Sequence, residues 1–179
     1  DVFVGYRYFE TIPGAAASVC YPFGYGLSYT TFALSDVRGG MNGAGEIALS
    51  ATVTNTGLCA GKYVLQAYVN PPKGRIAKPA AALVGFAKTR LLEPNESETL
   101  TVSFAPYAFA TYDDEGAVRK SAYVLEKGAY GFRVGENVRE TVNVDYHYEL
   151  DDDAILEQLS PKCAPTLLHR RMLADGSYR

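Results

Sequence analysis

Tyr21-Pro22-Phe23-Gly24-Tyr25-Gly26-Leu27-Ser28-Tyr29-Thr30 runs directly into Thr31-Phe32-Ala33-Leu34, and this junction decides how the chain is read. Pro22 fixes one backbone torsion, while Gly24 and Gly26 admit conformations closed to residues that carry a side chain. The rings around them are expected to anchor the segment by burial, since each can remove a large apolar area from water. The stretch therefore reads as a rigid, packed connector that delivers the chain into a β-strand. It contains no nucleophile paired with a base, so by itself it does no chemistry.

Outward from the connector the hydrophobic pattern has mostly period two, the mark of strands with one buried face. Residues 31–38 alternate around Phe32, Leu34 and Val37, and the glycine-rich stretch 39–45 supplies a turn. Ile47, Leu49, Ala51 and Val53 form the next inward face, which Asn55-Thr56-Gly57 ends because Asn and Gly tolerate positive φ. A third strand over 63–69 stops at Pro71-Pro72, which cannot extend a hydrogen-bonded ladder. Residues 83–91, 98–104, 117–124, 128–135 and 141–148 supply five more candidates. This count predicts an all-β antiparallel sandwich of seven or more short strands. Its core is expected to include Val53, Leu65, Tyr68, Leu83, Phe86, Leu100, Phe104, Tyr130, Phe132 and Val134. One helical turn is expected within residues 107–112. After Tyr148 the character changes: Asp151-Asp152-Asp153 leads into residues 154–159, where Ile155, Leu156 and Leu159 fit one helical face. Acidic residues complement a helix N-terminus and Ser160-Pro161 stops it, so a short C-terminal helix and tail are expected.

A chain of 179 residues suits a single modest domain with extra ends. A net charge of −3 argues against nucleic acid, whose phosphates require a concentrated basic surface. No apolar run approaches the roughly 20 residues of a bilayer span, so no membrane partner is expected. Cys20, Cys59 and Cys163 lack metal-ligand spacing and read as buried free thiols. The chain opens on Asp1 rather than Met, and it reads as part of a longer protein.

Catalytic chemistry finds little purchase. Asp113, Asp114 and Glu115 are consecutive in a turn, so their side chains are expected to diverge into solvent. Residues 151–153 lack the ligand spacing of a calcium loop. His147 sits in an alternating strand and His169 in the tail, with no Ser or Cys in a recognisable catalytic motif nearby. Gly24-Tyr25-Gly26 opens no phosphate loop, and Asn95-Glu96-Ser97, formally a glycosylation sequon, is explained by turn chemistry. No catalytic residue, metal ligand or cofactor is assigned. Two segments do invite a functional reading. The proline-bounded basic loop 71–79, with Lys73, Arg75 and Lys78, reads as a solvated loop that alternatively reaches a sugar site or packs on a companion domain. Residues 4–29 carry an aromatic cluster with one cation, in which Tyr6, Arg7, Tyr21, Phe23, Tyr25 and Tyr29 stand out.

Several stretches together resemble glycoside hydrolase family three, the β-glucosidases and β-xylosidases. Asp1-Val2-Phe3-Val4-Gly5-Tyr6-Arg7-Tyr8-Phe9 resembles the segment leaving the family's α/β sandwich domain, and residues 21–30 resemble the start of its fibronectin type III-like domain. Val53-Thr54-Asn55-Thr56-Gly57, Gln66-Ala67-Tyr68-Val69, Leu83-Val84-Gly85-Phe86, Leu92-Glu93-Pro94-Asn95 and Glu126-Lys127-Gly128-Ala129-Tyr130 continue in the family's order. Tyr63 stands where the family usually has a glutamate. The resemblance implies an interdomain strap over 1–29, a fibronectin type III-like domain over 30–148, and a helix and linker over 149–179. In the family the catalytic carboxylates lie on a barrel and its α/β neighbour, neither of which is present here. The resemblance therefore implies a non-catalytic accessory domain whose partners are the companion catalytic domains of the same chain, with a β-glycoside as the substrate of the whole protein. An independent carbohydrate-binding module is the alternative, and it would require an exposed aromatic face. Some family members place this domain centrally with the barrel following, and the apolar Leu167, Leu168, Met172 and Leu173 favour that order because they want a partner surface; the alternative is a C-terminal extension that packs back on its own sandwich.

Overall fold

A computed structural model describes residues 2–163 and 170–178, without the side chain of Cys163, and the described residues contain ten strands. β1 (Phe32–Met41), β2 (Ile47–Asn55) and β5 (Ser97–Phe104) form one antiparallel sheet in the order β1-β2-β5. β3 (Val64–Asn70), β4 (Ala82–Lys88), β8 (Gly128–Gly135) and β9 (Thr141–Leu150) form the second, in the order β4-β3-β8-β9. A third small sheet, β10-β7-β6, joins β6 (Thr111–Asp113), β7 (Ala122–Leu125) and β10 (Ala154–Gln158). The one α-helix among the described residues, α1 (Tyr6–Thr11), and a 3-10 turn over Ala15–Ser18 precede the sandwich. His169, Leu167 and Leu168 lie outside the described residues.

The core follows from alternation. Ile47, Leu49, Ala51 and Val53 on β2 are fully buried, and they meet Leu65, Ala67, Phe132, Val134 and Val144 of the second sheet in one cluster. Phe104, Phe109 and Phe132 bring their rings within 5.7–6.2 Å of one another, the edge-to-face and tilted geometry that aromatic quadrupoles favour. Phe109 arrives on the expected helical turn, a 3-10 segment over Pro106–Phe109. No buried side-chain nitrogen or oxygen among the described residues lacks a hydrogen-bond partner.

Several expectations need correction. Phe86 is 68% exposed, because it pairs with Gln66 on the outer face while the neighbouring pair Leu65 and Ala87 turns inward. β1 continues through Gly39 and Gly40 to Met41, since β2 supplies partners for both glycines. The strand expected over 117–124 shrinks to β7, because residues 116–119 wrap around Asp113 instead. The helix expected over 154–159 is β10. Ala154 pairs with Leu125, Ile155 with Val124 and Gln158 with Ala122, so the edge of β7 satisfies backbone groups that a six-residue helix would leave largely unpaired. Cys20 and Cys59 are free but exposed, not buried.

Candidate functional site

The basic loop 71–79 is held from below by one carboxylate. Glu126, just after β7, is only 4% exposed; its Oε1 accepts from the Arg75 backbone N–H (2.7 Å), and its Oε2 accepts from the Ile76 N–H (3.2 Å). The same carboxylate pairs with the Lys78 ammonium, itself buried, and with Arg75 Nε at 3.4 Å. Burial works to raise the Glu126 pKa, but the hydrogen bonds from Lys78, Arg75 and Ile76 outweigh it and hold the group below the usual carboxylate range. Gly74 permits the approach: a Cβ there would lie 2.4 Å from a Glu126 oxygen. Asp153 adds a second anchor, accepting from the Lys127 N–H and pairing with Arg75. Of the three loop cations named from sequence, Lys78 is thus committed to the interior and Arg75 to two carboxylates. Only Lys73 stands exposed without an ion pair among the described residues.

The connector meets the sandwich through backbone groups. Phe23 O accepts from the Val138 N–H (2.9 Å), and Gly24 O accepts from Gln66 Nε2 (3.1 Å), which also donates to Glu136 O. Gly24 has φ +86, and a Cβ there would lie 2.1 Å from Gln66 Oε1, so both torsion and space demand glycine. Thr30 donates to the buried Asn55 Oδ1 (2.6 Å), whose Nδ2 donates to the carbonyls of Cys59 and Leu92. Asn55 therefore ends β2 through its side chain rather than by a positive φ. α1 docks on the outer face of the second sheet: Tyr6 packs with Tyr68, Ala81, Leu83 and Val138, and its oxygen accepts from the Leu83 N–H (2.8 Å). Glu10 pairs with Arg139 at 2.9 Å.

The aromatic residues of 4–29 do not gather into one cluster. Tyr6 stacks on Phe23 at 4.1 Å, Tyr21 leans on Tyr25 at 4.9 Å, and Tyr29 stands fully exposed. Tyr21, Phe23 and Tyr25 also stay substantially exposed, contrary to the expected anchoring by burial, because the chain holds this segment by main-chain hydrogen bonds and leaves its outer side uncovered. Arg7 is exposed.

The acidic turn behaves unlike a solvated run. Asp113 is 1% exposed and accepts the backbone N–H groups of Gly116, Ala117, Val118 and Arg119 at 2.7–3.1 Å. Burial tends to raise its pKa, but these four bonds prevail and lower it. Asp113 is thus a structural knot. The spacing that reveals it, an aspartate three to six residues before a run of free N–H groups, was present in the sequence.

Beside the connector, a hydrogen bond shared with the Glu140 carboxyl, partial burial and the Glu140 charge push the Glu136 carboxyl up to about 7. The folded chain then keeps this proton where the unfolded chain, with a value of 4.5, has lost it. The resulting stabilisation is complete below pH 4.5 and disappears as pH rises through about 7. Glu140→Gln is expected to flatten the fall in melting temperature over that window, because an amide cannot repel the Glu136 charge. An unchanged slope in thermal melts would show that the pair does not couple.

Among the described residues no group of three or more His, Cys, Asp or Glu side chains could hold a metal, and no helix is long and apolar enough to cross a membrane. The Fibronectin type III-like domain family (Fn3-like) matches residues 63–138, from the start of β3 to the turn after β8. Beta-glucosidase A of Butyrivibrio fibrisolvens is 50% identical over 99% of this chain and 23% of its own length. A beta-glucosidase of Ruminococcus albus is 41% identical over 98% of this chain and 18% of its own. The crystal structure of a beta-glucosidase from Paenibacillus barengoltzii superposes with a TM-score of 0.85 at 43% identity, covering all of this chain and 20% of that one. The chain spans about a fifth of the length of these relatives. Similarity over nearly the whole chain, with the sandwich at its centre, shows that the chain belongs to glycoside hydrolase family three, as its fibronectin type III-like part.

Proposed function

We propose that the chain serves as a non-catalytic scaffold in a longer enzyme that hydrolyses β-linked glycosides. In this reading residues 1–29 are a strap from a preceding α/β domain, residues 30–148 the scaffold, and residues 149–179 the path towards another domain. The observation that carries it is the uncovered outer side of the connector: Leu27 is 91% and Tyr29 100% exposed, between the hydrogen bonds at Phe23 and Gly24 and the one at Thr30 that hold the connector to the sandwich. Apolar side chains displayed on a rigid support suit a neighbouring domain. The relatives' length supplies room for such neighbours.

Hydrolysis of β-glycosides needs two positioned carboxylates across a sugar. The carboxylates with the clearest geometry here, Glu126 and Asp113, are consumed by structural contacts. The purified chain is therefore expected to leave aryl β-glucosides and β-xylosides intact. Turnover that vanished on changing one of its own acidic residues would refute the proposal. The path beyond β10 is tested by the full reading frame: a barrel bearing an aspartate nucleophile is expected downstream, and a stop codon soon after Arg179 would exclude it.

A further inference from the structure

The small sheet, the loop before β4 and the segment 170–178 line a cleft of about 830 Å³, within the usual range of ligand pockets. Tyr112 and Tyr123 are cross-strand partners on β6 and β7, with ring centroids 5.4 Å apart, and both line the cleft with Tyr178. Its lining also contains five cationic side chains and one carboxylate, Asp114. Two of those cations are neutralised: Lys78 by Glu126, and Arg171 by Asp114 at 2.6 Å with Glu115 at 3.7 Å. Arg7 and Lys120 form no ion pair among the described residues, and Arg170 lies over the Tyr178 ring at 4.8 Å.

This combination has a chemical meaning. A pyranose presents a face of C–H groups that packs on an aromatic ring, and uncompensated guanidinium and ammonium groups attract a carboxylate. We propose that the cleft binds a carboxylate-bearing sugar, a short β-linked oligosaccharide containing a uronic acid. Tyr112 and Tyr123 supply the stacking surface, and Arg7, Lys120 and Arg170 supply the charge. The choice of a sugar rests on the scaffold reading, whereas the preference for an acidic one rests on the cleft's own cations.

Titrating the chain with cellobiouronic acid and with its neutral twin cellobiose, followed by calorimetry and NMR, tests this. The acid is expected to bind about tenfold more tightly at low salt, with the preference shrinking at high salt. Resonances of Tyr112 and Tyr123 are expected to shift with either sugar. The exposed Lys120→Ala and Arg170→Ala changes, combined, should bring the two affinities together without unfolding the chain. Equal affinity of the parent chain for both sugars, shifts confined to Tyr21, Tyr25 and Tyr29, or binding of neither sugar would overturn the proposal. A negative result leaves the scaffold reading to its own test, the absence of turnover.

Discussion

Phe132→Ala is expected to lower the stability of the chain by about 3–5 kcal/mol, whereas Phe86→Ala should change it by no more than about 0.5 kcal/mol. Both residues are phenylalanines on strands of the same sheet, so composition does not separate them. Burial does. Phe132 is 2% exposed and contacts the rings of Phe104, Phe109 and Tyr146, so truncation would remove a buried apolar surface and leave a cavity. Phe86 presents 68% of its surface to solvent from the edge strand β4. Chemical denaturation of the two variants, read at constant m-value, checks the contrast. Comparable losses at both sites would mean that the outer face of β4 is covered when the chain folds.

Glu126→Ala is expected to cost a further large amount, about 3–5 kcal/mol, because it strands the buried Lys78 charge and removes the acceptor of two backbone N–H groups. The paired change Glu126→Leu with Lys78→Met is expected to recover part of that loss, since it leaves no buried charge. It should not recover all of it, because the N–H groups of Arg75 and Ile76 remain without their acceptor. Denaturant midpoints of the single and paired variants give the comparison. A paired variant no more stable than the single one would show that the backbone bonds, and not the ion pair, dominate.

Where the chemistry is local, the sequence was legible. Alternation in residues 47–53 places Ile47, Leu49, Ala51 and Val53 on one face whatever the partner strand, and the structure buries all four. Asn95, read as a turn residue, has φ 67, the left-handed conformation that asparagine tolerates. Residues 154–159 are ambiguous in sequence because six residues with three apolar positions satisfy a helical and an extended pattern almost equally. Their state was settled by the open edge of β7, formed far earlier in the chain. Phe86 departs from its expected place for a related reason: alternation says that one face is buried but not which, and the pairing with β3 makes that choice.

Charged residues followed the same division. Sequence showed that Lys73, Arg75 and Lys78 share a proline-bounded loop, and that loop does lie on the surface of the sandwich. It could not show that Lys78 turns inward to Glu126, 48 residues later, or that Arg75 reaches Asp153, 78 residues later. An ion pair depends on distance in space, and no local periodicity records it. By itself the sequence determined most of the sandwich strands and the glycine-dependent connector, because torsional limits and side-chain alternation act within a few residues, while its ordered motifs carried the resemblance to the family. The inward face of β4, the strand at 154–158, the clasp at Glu126 and the cationic cleft were decided by tertiary structure alone, because each depends on which distant backbone or charge the fold brings within reach.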